Sequence, residues 1–143
     1  MRISVLNGVN LNILGRRDAS VYGGASISEL EGRIYEWGRE LELMVQCRQT
    51  NDESEFIKWC HDSHDTADGL VVNPGAWTHY EWSIRDALEP LDIPIVEVHL
   101  SNVDEREEWR RMSVLEDIRS ARFVGHGPDG YRMALEYLKE HDS

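Results

Sequence analysis

The chain has only two cysteines, Cys47 and Cys60, and neither sits in a C-x-x-C pair or at the spacing of a zinc site. A disulfide framework is therefore not expected, and both read as small buried fillers in a reducing compartment. No apolar run approaches the ~20 residues that a membrane span needs, and the amino terminus enters a strand without a signal-peptide pattern, so a cytoplasmic location is expected. Positive charge is scarce: 15 Lys and Arg stand against 27 Asp and Glu, for a formal net charge of -12. Such a surface repels phosphate over most of its area, which argues against nucleic acid or an anionic membrane as partner. Internal repeats, low-complexity segments and interior linkers are also missing. What is present is a globular composition over 143 residues, long enough for one domain with a real core.

The informative stretch is Ile95-Val96-Glu97-Val98-His99-Leu100-Ser101-Asn102. A strand turns its side chains to alternate faces, so Val96 and Val98 point one way while Glu97, His99 and Ser101 share the other. This line lies at the carboxyl end of an apolar run, where parallel sheets keep their ligand crevices. Glu97 can hold one ring nitrogen of His99 while the other faces a substrate, which makes His99 the first candidate for a general acid. The plain alternative is a polar pair closing an ordinary strand.

Around it, strands and helices alternate. Arg2 to Leu6 reads as a first strand, followed by a long loop from Gly8 to Gly24 that holds Asn10, Asn12, Arg16, Arg17 and Tyr22. Long loops in small domains are usually lids or binding loops. Two arginines beside a tyrosine in an acidic protein mark an anion site, because a nearby guanidinium stabilises a phenolate. Ser26 and Glu29 have the spacing of a capping box, and Ile27, Leu30, Ile34 and Trp37 recur at helical spacing up to Gly38. A second strand is expected over Leu41 to Arg48, then a helix capped by Asn51 or Asp52 with Phe56, Ile57 and Cys60 inside. His61 and His64 lie three apart there, a spacing that suits a metal, but no third ligand is in view. Gly69 to Asn73 is the third strand, and Asn73 stands level with His99 if the two strands are neighbours. Trp77 to Glu89 reads as one helix with Tyr80, Ile84, Ala87, Leu88 and Leu91 turned inward. Trp82 falls off that stripe beside Arg85 and Asp86, which predicts a subunit interface. The run from Asp104 to Arg111 reads as a short solvated helix with Arg106 and Arg110 on one face, able to close over a carboxylate or polyhydroxylated ligand. Arg122 to Val124 and a helix carrying Tyr131, Ala134, Leu135 and Leu138 complete a parallel sheet covered on both faces.

Gly125-His126-Gly127-Pro128-Asp129-Gly130 satisfies G-x-G-x-x-G after a strand, but a dinucleotide fold needs a further strand and an acidic residue ~20 positions on. These glycines read as a turn into the last helix. No G-x-S-x-G elbow or H-E-x-x-H zinc motif occurs.

Taken together, Leu6-Asn7-Gly8-Val9-Asn10-Leu11-Asn12, Leu14-Gly15-Arg16-Arg17, Val21-Tyr22-Gly23, Asn73-Pro74-Gly75-Ala76 with Thr78-His79, Ile84-Arg85-Asp86-Ala87 and Glu97-Val98-His99-Leu100-Ser101-Asn102 resemble the type II 3-dehydroquinate dehydratases in order and spacing. The resemblance implies a flavodoxin-like three-layer α/β/α fold with a five-stranded parallel sheet, a single catalytic domain over residues 1–143, no metal or cofactor, and a dodecamer of trimers. It implies dehydration of 3-dehydroquinate to 3-dehydroshikimate through an enolate, in the shikimate pathway or in quinate catabolism. In that scheme Tyr22 is the base, Arg17 holds it as phenolate, and a water held by Asn10 stabilises the enolate. His99, oriented by Glu97, is the acid. Asn73, His79, Ser101 and Arg110 hold the substrate with the backbone near Leu100, Arg106 is the second loop-closing arginine, and Asp86 reaches a neighbouring subunit's site. The chain departs from the family pattern at Val9, at Tyr80, Glu81 and Trp82, at Asp104 and in the glycine turn at 125–130. Those departures keep open an altered substrate for the same mechanism, and a non-catalytic relative that binds a cyclic polyol acid.

Overall fold

A computed structural model describes residues 1–22 and 24–142 of the chain. Five strands, β1 (Arg2–Asn7), β2 (Met44–Gln49), β3 (Gly69–Asn73), β4 (Ile95–His99) and β5 (Ala121–Val124), form one sheet in the order β2-β1-β3-β4-β5, and every pairing is parallel. The chain steps outward from β1 to β2 and then returns past β1 to β3. The order therefore reverses between β1 and β3, and a crevice is expected beyond their carboxyl ends.

Helices cover both faces, giving the flavodoxin-like α/β/α layering. On one face α2 (Ile27–Glu40) and α5 (Asp129–Glu140) bury Leu30, Ile34, Tyr131 and Leu135 against Ile3, Val5, Val71, Val96 and Val98. On the other, α3 (Glu53–Thr66) and α4 (Trp82–Leu88) bury Phe56, Cys60, Ile84 and Leu88 against Leu6, Leu70, Val72 and Ile95. β3 is buried along its whole length, as suits a central parallel strand with the apolar stretch Leu70-Val71-Val72. Each fully buried aliphatic or aromatic side chain contributes roughly 1.5–3 kcal/mol, so the two cores account for most of the stabilisation.

Local signals explain where the elements start. The Ser26 side chain accepts from the Glu29 backbone N–H, and the Asp52 carboxylate accepts from the N–H groups of Ser54 and Glu55, each satisfying amides that the first helical turn leaves bare. Asp52, not Asn51, is thus the cap of α3. Several expected boundaries shift. α2 runs past Gly38 to Glu40, because that glycine does not end the helix but lets β2 approach: a Cβ there would lie 2.6 Å from Val45. Leu41 and Glu42 then belong to the turn, with Glu42 at φ 58°, and β2 starts only at Met44. The expected helix over 77–89 is broken into a 3-10 turn, Gly75–His79, and α4, with extended φ at Tyr80. The break turns Tyr80 outward, 56% exposed, so its place in the core is corrected. The charged run after Asn102 is two 3-10 turns, Val103–Glu105 and Glu108–Arg111, rather than one helix. Tyr22 ends a single α-helical turn, α1 (Ala19–Tyr22), inside the segment expected to be loop. Among the described residues, no helix is long and apolar enough to cross a membrane.

Candidate active site

A cavity of about 590 Å³, counting the space open at its mouth, lies at the reversal in strand order. Asn10 from the segment after β1, Asn73 at the end of β3 and His99 at the end of β4 form its floor. The exits of β1 and β3 are pressed together by glycine. A Cβ on Gly8 would lie 2.3 Å from the Pro74 carbonyl oxygen, and Gly75 sits at φ 67° against the Val9 carbonyl, a conformation glycine adopts without a steric cost.

Tyr22 enters from the lid. Arg17 Nη2 donates to its phenol oxygen while the guanidinium carbon lies 3.9 Å from the ring centroid. Arg106 Nη1 donates to the same oxygen at 2.6 Å and to Ser101 Oγ at 3.2 Å. Two cationic donors on one phenol oxygen form a setting that fits negative charge on it. Arg106 and Arg110 line one cavity from two separate 3-10 turns, Arg106 at the end of the first and Arg110 within the second; Arg110 Nε donates to Glu107 at 2.5 Å and its guanidinium stacks on Trp109 at 4.1 Å.

His99 stands on β4 with its ring nearly buried, and its Nε2 lies 2.7 Å from Glu97 Oε2. Glu97 is fully buried behind the ring, where Oε1 accepts from Ser113 Oγ and Arg119 Nη1, both at 2.9 Å. Burial alone would raise this carboxyl, but the hydrogen bonds and charge of His99, with those of Arg119 and Ser113, bring it down to about 2. The ionised carboxylate can only accept, so Nε2 carries a proton towards Glu97 and Nδ1 is left as the other working nitrogen of the ring.

His79 lines the cavity with its ring 6.0 Å from that of His99 and nearly parallel to it. Its Nδ1 lies 2.7 Å from the Met112 carbonyl, which must accept. Burial holds His79 below the usual imidazole range, partly opposed by that carbonyl and reinforced by the charges of His99 and Arg110. Asn73 donates from Nδ2 to Tyr131 Oη at 2.9 Å, accepts from the Gly75 N–H, and Tyr131 in turn donates to Asn7 Oδ1 at 2.6 Å. Asn10 takes φ 68°, its N–H bound at 2.8 Å by Asn51 Oδ1, which ties the lid's root to the end of β2. Leu100 lines the cavity from the strand end.

Of the residues singled out in the sequence, Asn10, Arg17, Tyr22, Asn73, His79, His99, Leu100, Ser101, Arg106 and Arg110 thus share one cavity, with Glu97 directly behind it. Asp86 does not: it is exposed on α4, paired with Arg85 at 3.2 Å. Of the departures from the family pattern, Glu81 accepts from Ser83 Oγ at 3.1 Å and does not line the cavity, whereas Val9 does. His61 and His64 are exposed, and among the described residues no three His, Cys, Asp or Glu side chains converge as a metal site would require. The sequence reading missed Ser113 and Arg119 behind Glu97, and the Tyr131–Asn7 link behind Asn73. A phenol oxygen between cations and a carboxylate-oriented imidazole on one cavity can together remove and deliver a proton.

The family model described as "Dehydroquinase class II" matches residues 1–139. The chain is 47% identical over 137 residues to the 3-dehydroquinate dehydratase of Deinococcus radiodurans, covering 95% of this chain and 96% of that one. It is 46% identical over 140 residues to the protein of the same name from Thermotoga petrophila, covering 98% and 96%. In three dimensions it resembles the crystal structure of type II dehydroquinase from Propionibacterium acnes with a TM-score of 0.93 and 43% identity, over 97% of this chain and 96% of that one. With that match running through every element that builds the cavity, the chain belongs to the class II dehydroquinase family.

Proposed function

We propose that this chain removes water from 3-dehydroquinate to give 3-dehydroshikimate. The Tyr22 oxygen, as phenolate between Arg17 and Arg106, takes the proton from C2, and the electron pair of that C–H bond passes into the enolate of the neighbouring ketone. The pair then forms the C1–C2 double bond as the C1–O bond breaks, and His99 gives its proton to the departing hydroxyl, which leaves as water. Proton return from the Tyr22 phenol and proton uptake by His99 restore the starting state. Asn10 holds the water that stabilises the enolate oxygen, a task worth several kcal/mol when the donor is fixed in advance. Asn73, His79, Ser101 and Arg110 hold the carboxylate and hydroxyls.

The observation that supports this most is that Tyr22 and His99 line the same cavity, each with a charged partner already in hydrogen-bonding contact. A dodecamer of trimers goes with the reading, in which the exposed Trp82 face of α4 carries Asp86 toward a neighbouring subunit's cavity. So does a cytoplasmic location, with Cys47 and Cys60 as free thiols. The test is enone absorbance on mixing the protein with 3-dehydroquinate in the presence of EDTA. A steady rise supports the reading; no rise, with saturable binding of the same compound by calorimetry, selects a binding protein instead.

A further inference from the structure

We propose that Arg119 is a positioning residue that sets the acid strength of His99 by sharing the Glu97 carboxylate with it. The inference rests on the reading of His99 as the general acid.

Glu97 is an anion with no access to solvent, and its two oxygens serve different partners. Oε2 accepts a hydrogen bond from the Nε2–H of His99, and Oε1 accepts hydrogen bonds from Ser113 Oγ and Arg119 Nη1. Both of the latter come from the connection into β5, which is pinned to β4 by the Ser120 N–H on the Ile95 carbonyl at 2.7 Å. Carboxylate charge is delocalised over both oxygens, so a guanidinium on one draws charge from the other. A buried carboxylate answered by the imidazole alone would hold an imidazolium tightly, because Coulomb attraction is strong where water is excluded. An acid held that tightly releases its proton reluctantly to a leaving hydroxyl. Arg119, bonded to the far oxygen, weakens the hold without touching the cavity, which it does not line.

The other charged groups around the pair act differently. Arg122 Nε lies 3.9 Å from Glu97 Oε2, but both its Nη atoms are on Asp104, at 3.0 and 3.1 Å, so its charge is already answered. On the cavity side His99 faces the His79 ring, and Tyr22, Arg17, Arg106 and Arg110 line the same space. Among the described residues Arg119 is the one guanidinium that donates a hydrogen bond to Glu97.

The experiment compares the pH dependence of kcat/KM for the wild type, Arg119→Gln and Arg119→Lys, alongside the titration of the His99 ring followed by NMR without substrate. A general acid works protonated, so its titration is the alkaline limb. Glutamine keeps a donor but removes the charge, and is expected to move that limb and the ring titration upward by about one pH unit. Lysine keeps the charge and is expected to leave both in place. An Arg119→Gln profile and ring titration that coincide with wild type overturn the proposal, even if the variant is less stable. Should Arg119→Gln fail to fold, a displaced limb in Arg119→Lys overturns it. A wild-type protein that makes no enone would refute the dehydratase reading instead, and the ring titration would still decide whether Arg119 acts on His99.

Discussion

Glu97 Oε2 lies 2.7 Å from His99 Nε2, in a place where the carboxylate is wholly buried. Its carboxyl falls to about 2 from an ordinary 4.5, against the upward push of burial, so the native state binds this proton later than the unfolded chain. The contribution to stability is therefore complete above about pH 4.5 and lost as the pH falls toward 2. The drop corresponds to on the order of 3 kcal/mol. Urea unfolding followed from about pH 5 down to 2 is expected to lose stability steeply in the wild type and more gently in Glu97→Gln. Equal slopes in the two proteins would show that Glu97 is not so depressed.

Tyr22→Phe removes the oxygen on which Arg17 and Arg106 converge. Turnover of 3-dehydroquinate is expected to fall by roughly 10²–10⁴-fold with the circular dichroism unchanged. Arg17→Met leaves Arg106 in place, so activity is expected to survive with the acid limb of the pH–rate profile moved to higher pH. A profile identical to wild type would remove Arg17 from this role.

Tyr131 bridges Asn73 and Asn7 inside the core. Tyr131→Phe leaves Asn7 Oδ1 without its donor, which costs about 1–3 kcal/mol where the group stays buried. Because Asn73 then loses one of its two anchors, KM is expected to rise more than kcat falls. Steady-state kinetics with chemical denaturation check both halves.

These residues also mark what could be read in the sequence. Period-two alternation was enough to place Glu97 and His99 on one face, and the five-residue run Gly69–Asn73 has the same bounds in the structure, where Leu70, Val71 and Val72 form the buried apolar stretch of a central strand. Capping chemistry located Ser26 and left only the choice between Asn51 and Asp52. What escaped depends on register and on irregular backbone. Arg119 meets Glu97 because β4 and β5 pair with Glu97 opposite Arg122, a relationship invisible until the strands are aligned. Tyr80 was assigned inward because helical periodicity was continued across Tyr80 and Glu81, where the backbone leaves helical geometry. The segment from 103 to 111 has helix-forming residues but folds as two 3-10 turns, with the Asn102 side chain accepting from the Asp104 N–H at the start of the first.

Trp82 is 52% exposed on α4, close in sequence to the 56% exposed Tyr80. If this face joins subunits, Trp82→Glu buries a charge at the contact, and the assembly is expected to fall to smaller species by sedimentation velocity with the monomer fold retained. An unchanged sedimentation coefficient would mean that the face stays in water.

The division of labour between Tyr22 and His99 is tested most directly by following the C2 proton of 3-dehydroquinate in deuterium oxide by NMR, with His99→Ala and Tyr22→Phe side by side. His99→Ala keeps the base and is expected to exchange that proton for deuterium while forming almost no enone; Tyr22→Phe is expected to do neither. Exchange at the wild-type rate in Tyr22→Phe would contradict the assignment of the base.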